Sequence, residues 1–212
     1  QYSPRQEITL ENHVLIPGLI NAHGHTPMSL FRGYADDMAL RPWLEDKIWP
    51  AEAQWVSEEF VCDGATLAIA EMLRSGTTSF TDMYFFPDEV AKVALKSNIR
   101  AMLAAPVLDF PTVWAQDADE YIRKATELND RYKNNNHIEV AFGPHAPYTV
   151  SDEPLRHIST LANELDIPIH IHIHENAHEV EEAVKNTGLR PLERLNQLGL
   201  LSQLLQCVHA TQ

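Results

Sequence analysis

Two histidines stand two residues apart in Ile20-Asn21-Ala22-His23-Gly24-His25, directly after the apolar run Val14-Leu15-Ile16-Pro17-Gly18-Leu19. On a strand, side chains alternate with period two, so both imidazoles would leave one face and could converge on a single metal ion. A second run, Pro168-Ile169-His170-Ile171-His172-Ile173-His174-Glu175, sets three histidines against three isoleucines by the same alternation. Three imidazoles on one face of a buried strand are costly to desolvate without partners. His172, near the strand end where His23 and His25 would also emerge, reads as a ligand. His170, deeper in the strand, reads as part of a polar inner face satisfied by water and neighbours. Glu175 has the opposite parity to His172, so the chain must turn or bulge between them if both face one pocket. A catalytic zinc takes three protein ligands and keeps a position for water, whose pKa falls to about 7. A carboxylate beside that water can shuttle protons, and Glu175 is placed for this. Zinc is the default for such ligands, and iron or manganese also suit them. His13, His137, His157 and His178 carry no such context and read as solvated or capping residues.

These groups need a scaffold, and the chain supplies one in alternating segments. Val14 to His25 reads as the first strand. A helix from Ser57 to Arg74 follows, with Ser57 as N-cap, an apolar stripe at Val61, Ala65, Ala68 and Met72, and Gly76 past its end. Thr77–Tyr84 reads as a strand, then a helix through Val90, Ala94 and Leu95. Arg100–Leu108 is a third strand, followed by a helical face at Tyr121, Ala125, Leu128 and Tyr132. Ile138–Phe142 is a fourth, running into Gly143-Pro144-His145. Ser151 reads as the cap of a helix with core face Leu155, Ile158, Ala162 and Leu165. Ile167–His174 is the fifth strand, two short helices follow, the second opened by Pro191, and Gln206–His209 begins a sixth.

Regular alternation of strand and helix means a parallel sheet with right-handed crossovers. No GxGxxG or P-loop follows any strand, which disfavours a nucleotide-binding doubly wound sheet. The polar residues fall at the C-terminal ends of strands one, four, five and six, where barrel enzymes assemble their sites. The expected fold is therefore an α/β (β/α)8 TIM-type barrel, incomplete at about six βα units over 14–212. Residues 1–13 read as a remnant of a flanking β-sandwich. The abrupt ends suggest a fragment of a longer chain.

Sixteen basic against 30 acidic residues give a net charge of −14 in 212 residues, with no basic stripe. That disfavours a nucleic-acid partner. No apolar run is long enough to span a bilayer. Cys62 and Cys207 are far apart and suggest neither a disulfide framework nor a thiolate metal site, consistent with a cytoplasmic location.

The stretches PGLINAHGHTPMSLFRGYADD (17–37), WLEDKIWPAE (43–52), SGTTSFTDMY (75–84), FGPHAPYTVSDE (142–153), IHIHIHE (169–175) and CVHATQ (207–212) occur in this order. Together they resemble the metal-dependent amidohydrolase superfamily, ATZ/TRZ-like branch, and within it deaminases of 5'-methylthioadenosine and S-adenosylhomocysteine. The resemblance implies His23, His25 and His172 as zinc ligands and Glu175 as proton shuttle and substrate contact. It also implies Glu52 and His145 as substrate contacts, and His209 as a catalytic residue bonding the activated water or the attacked centre. It implies hydrolytic deamination of an adenine nucleoside to the inosine analogue plus ammonia, with a small molecule as partner and a homo-oligomer compatible with it. A last aspartate ligand is expected beyond Gln212, so these residues alone are expected to be inactive. Ala104-Ala105-Pro106-Val107 stands where relatives using S-adenosylhomocysteine carry an arginine, which favours the uncharged methylthio nucleoside. Two rival readings stay open. One is a guanine, cytosine or s-triazine aminohydrolase or chlorohydrolase of the same fold; the other is a chain that binds metal without turnover.

Overall fold

In the computed structural model, which describes residues 3–212, six strands form one parallel sheet in the order β1-β2-β3-β4-β5-β6. The strands are β1 (Leu19–Asn21), β2 (Thr77–Asp82), β3 (Arg100–Val107), β4 (Ile138–Pro144), β5 (Ile169–Ile173) and β6 (Leu205–His209). Sequence order equals spatial order, which is the topology of a barrel wall. The sheet is a curled half-barrel, and β1 and β6 are not paired to each other. Before β2 come α1 (Leu40–Trp43), a π turn (Leu44–Ile48), α2 (Trp49–Trp55) and α3 (Glu58–Arg74). The crossovers that follow are α4 (Pro87–Lys96), α5 (Ala118–Tyr132), α6 (Asp152–Leu165), α7 (Ala177–Thr187) and α8 (Pro191–Gln197).

The central strands are apolar on both faces because helices cover one side and the barrel interior fills the other. On β3, Leu103, Ala105 and Val107 join the main core with Val90, Tyr121, Ile158 and Leu195 from the helices. Met102, Ala104, Ala141 and Met83 form a separate small cluster on the inner face. On β5 the three isoleucines are buried in the helix-side core, so His170 and His172 point inward, as their alternation predicts.

Local chemistry sets most boundaries. The Ser57 side chain accepts the Phe60 N–H at the start of α3, and Gly76 supplies the left-handed turn (φ 87°) that leads into β2. Four expectations need correction. The first strand does not start at Val14: pairing to β2 begins at Leu19, after Pro17, which has no N–H to offer a ladder. Ser151 sits in the cap position of α6, but its hydroxyl makes no capping bond, and its backbone N–H instead donates to Asp109 Oδ2 (2.8 Å). Leu165, expected on the core face of α6, is 42% exposed at the last turn. His174 lies outside β5 rather than on its inner face. Among the described residues, 3–18 form no strand and are exposed.

Candidate metal and catalytic centre

His23 and His25 lie in the turn just beyond β1, and the end of β2 clamps that turn. Met83 N–H donates to Gly24 O (3.0 Å), and His25 Nδ1 sits 2.6 Å from Met83 O. Asp82 Oδ1 accepts both the backbone N–H (2.5 Å) and the hydroxyl of Thr26. Burial pushes the Asp82 carboxyl up to about 7, against the lowering effect of these bonds, and its Oδ2 has no partner among the described residues. Pro27 follows and packs on α3 at Gly64, where an added Cβ would lie 2.4 Å from the Pro27 carbonyl oxygen. Only glycine permits that approach.

β5 contributes from the opposite side. His172 Nδ1 is 2.7 Å from the His145 carbonyl, and its Nε2 is 3.1 Å from His23 Nε2. The parity change between His172 and Glu175 is met by the backbone: β5 ends at Ile173 and His174 adopts a left-handed conformation (φ 54°). Glu179 holds this turn through both carboxylate oxygens, accepting the N–H groups of His174 (2.9 Å) and Glu175 (2.9 Å). Thr211 closes it from outside, its hydroxyl bonding the carbonyls of His174 (3.1 Å) and Glu175 (2.9 Å). The His174 ring is turned away and bonds Leu192 N–H and the Gln212 carbonyl. Sequence reasoning missed Glu179; the signal available was an acidic residue at the third helical position after the cap residue Asn176.

Proton accounting on these rings is decisive. A carbonyl oxygen can only accept, so His25 and His172 each carry their proton on Nδ1 and leave Nε2 as a bare lone pair. Burial, reinforced by neighbouring imidazoles, lowers the pKa of His23 to about 3 and that of His145 to about 4; it also lowers His25 and His172. All four are therefore neutral near pH 7, the form that ligates metal. The rings of His23 and His25 lie 4.9 Å apart, and those of His25 and His172 5.2 Å apart. Neutral, Nδ1-anchored imidazoles converging in a half-buried pocket are a donor set that fits zinc. The nitrogens of His23, His172 and His209 lie within 4.8 Å of one another. His209 thus reaches the same point as the expected ligands, while His25 stands at its flank.

His209 is the last residue of β6, in a left-handed conformation (φ 72°), and its Nε2 is 3.6 Å from Glu175 Oε1. Its ring stacks on His172 with centroids 5.5 Å apart. Burial raises the Glu175 carboxyl above its usual range, His209 opposing and Glu179 adding to the rise. Beside the histidines opens a cavity of about 520 Å³ lined by His25, Glu52, Tyr84, His145, Trp49 and Phe110, among others. Glu52 comes from α2 and is buried, which pushes its carboxyl up to about 7. The neighbouring Tyr84 hydroxyl opposes that rise, although among the described residues it meets no partner in hydrogen-bonding geometry. His145 Nδ1 is held by Thr149 Oγ1 (3.0 Å). Of the sequence-predicted residues, all seven thus line one connected region at the C-terminal ends of the strands.

The amidohydrolase family pattern matches residues 14–211. A protein of Saccharophagus degradans named 5-methylthioadenosine/S-adenosylhomocysteine deaminase is 54% identical over 212 residues, 100% of this chain and 48% of its own. One of Methanococcus maripaludis named 5'-deoxyadenosine deaminase is 44% identical, over 94% of this chain and 48% of its own. Among solved structures, an adenosine deaminase from Xanthomonas campestris with bound zinc is 51% identical and superposes with a TM-score of 0.90, over 92% of this chain and 45% of its own. The chain spans about half the length of the curated relatives it matches.

Proposed function

The chain belongs to the amidohydrolase family, and from that premise we propose that it supplies the metal-binding half of a hydrolase that deaminates an adenine nucleoside, 5'-methylthioadenosine foremost. The observation that carries the reading is the set of imidazoles with Nδ1 committed and Nε2 bare, beside Glu175 and opening onto the 520 Å³ cavity. The names of the relatives supply the substrate class.

His23, His25 and His172 would hold the ion. When bound, zinc would supply Lewis-acid activation of the attacking water. Glu175 does the proton work: burial raises its carboxyl above the usual range, and it passes a proton to the ring nitrogen as water adds at C6. His209, beside that carboxyl, orients it and bonds the reacting centre. Glu52 and His145 contact the substrate from the cavity wall, and Trp49 and Phe110 offer flat apolar surface to a purine or its 5' substituent. The uncharged segment Ala104–Val107 on β3 favours the methylthio nucleoside over S-adenosylhomocysteine.

Ammonia release tests the reading, measured on the chain extended to the length of its relatives and loaded with zinc. 5'-Methylthioadenosine should be deaminated with kcat/KM above that for guanine, cytosine and s-triazines. Preference for one of the latter would replace the nucleoside assignment.

A further inference from the structure

His25 and His172 have their tautomers set by backbone carbonyls, but His23 has none within reach. Its Nδ1 lies 2.9 Å from His170 Nε2, and His170 Nδ1 lies 3.2 Å from Gln206 Oε1. The Gln206 amide nitrogen points to Met102 Sδ (3.8 Å), which leaves the amide oxygen for the imidazole. An amide oxygen can only accept, so His170 carries its proton on Nδ1 and presents Nε2 as an acceptor. His23 must then donate from Nδ1, which leaves its Nε2 bare and directed at His172.

We propose that His170 and Gln206 are positioning residues: a two-member side-chain relay, Gln206 to His170 to His23, that fixes the tautomer in which His23 can hold a metal ion. Resting on the reading of His23 as a ligand, it gives a task to a buried imidazole the chemistry leaves idle. His170 is 2% exposed, and among the described residues its ring has these two partners. The relay runs across the barrel interior one layer below the candidate metal position, from β6 through β5 to the turn after β1. Take away the amide acceptor and His170 is free to move its proton to Nε2. Donation would then run toward His23 Nδ1, which drives the His23 proton onto Nε2, the nitrogen the ion needs. Outer partners of this kind are worth about 10–100-fold in metal affinity.

The test uses zinc affinity, read by competition with a chromogenic chelator at pH 7.5, together with thermal melting of the metal-free chain. The melt checks that each replacement keeps the fold, so that a change in Kd is read at the metal. Gln206→Leu should raise the zinc Kd about 10–100-fold, whereas Gln206→Glu, whose carboxylate can only accept, should keep the wild-type value. A Leu variant with wild-type Kd overturns the relay, as does a Glu variant as weak as the Leu one. A wild-type chain that takes up no zinc overturns the relay and the metal reading together, which separates the two failures. A second measurement needs no substitution. Ring-nitrogen NMR of the zinc-loaded chain should show His170 protonated on Nδ1 and bare at Nε2; the reverse tautomer contradicts the relay.

Discussion

The turn after β1 holds two histidines by different means. His25 is anchored on the Met83 carbonyl, and His172 across the site is anchored in the same way on the His145 carbonyl. His23, two residues from His25, depends on the side chains of His170 and Gln206. A backbone carbonyl belongs to the fold: once β2 and β4 are in register, the acceptor is in place whatever side chain that residue carries. A side-chain relay belongs to particular residues and can be lost one substitution at a time. Two of the three imidazoles are therefore guaranteed by topology, and the third by composition.

That contrast separates holding from chemistry, and the largest expected effect lies with chemistry. Glu175→Gln should lower kcat by about 10²–10⁴-fold in the full-length, zinc-loaded enzyme while zinc content stays at the wild-type level. Zinc loss on that substitution would place Glu175 among the anchors instead. Next comes Glu52, a carboxyl raised by burial against the lowering effect of the neighbouring Tyr84 hydroxyl. Its folded pKa, about 7, exceeds the ordinary 4.5. The folded state therefore binds the extra proton between those values, and its contribution to stability is lost as pH rises from about 4.5 to 7. The full swing is on the order of 3 kcal/mol. Melting curves of Glu52→Gln should diverge from wild type across that window, the variant being relatively more stable at pH 7. Parallel curves would show that Glu52 ionises normally. A third effect tests how rigidly topology guarantees His25. Gly64→Val should drive a side chain into the Pro27 backbone and cost about 1–3 kcal/mol by overpacking, visible in denaturant melts. Unchanged stability would mean the turn yields freely. The smallest effect is the sharpest for the comparison: Met83→Leu conserves volume and keeps the carbonyl, so zinc affinity should not change. A weakened Kd there would break the distinction between backbone and side-chain anchors.

The half-barrel was legible because its signals are local. Ser57, Gly76 and Pro191 mark helix ends, and the isoleucines of β5 declare their face by period two. The demand for a turn between His172 and Glu175 also follows from parity alone, and His174 meets it with φ 54°. The same parity failed for His174 itself, because the turn that brings Glu175 inward carries the His174 ring out toward Leu192. The part of β1 before Leu19 was misread since an apolar run shows hydrophobicity, while pairing needs N–H groups that Pro17 cannot supply. His170 looked like inner-face filling. Its partners are 147 and 36 residues away in the chain, and only the curl of the sheet brings them together. Asp82 and Thr211 escaped for the same reason: each acts on a turn that follows a different strand.

The central claim is that Nε2 of His23, His25 and His172 hold the ion, with His209 turned to Glu175. Anomalous diffraction at the zinc edge from crystals of the zinc-soaked chain tests it most directly. The account predicts one peak about 2.0–2.1 Å from each of those three nitrogens. A peak bound by His23, His172 and His209, with His25 unligated, would contradict it.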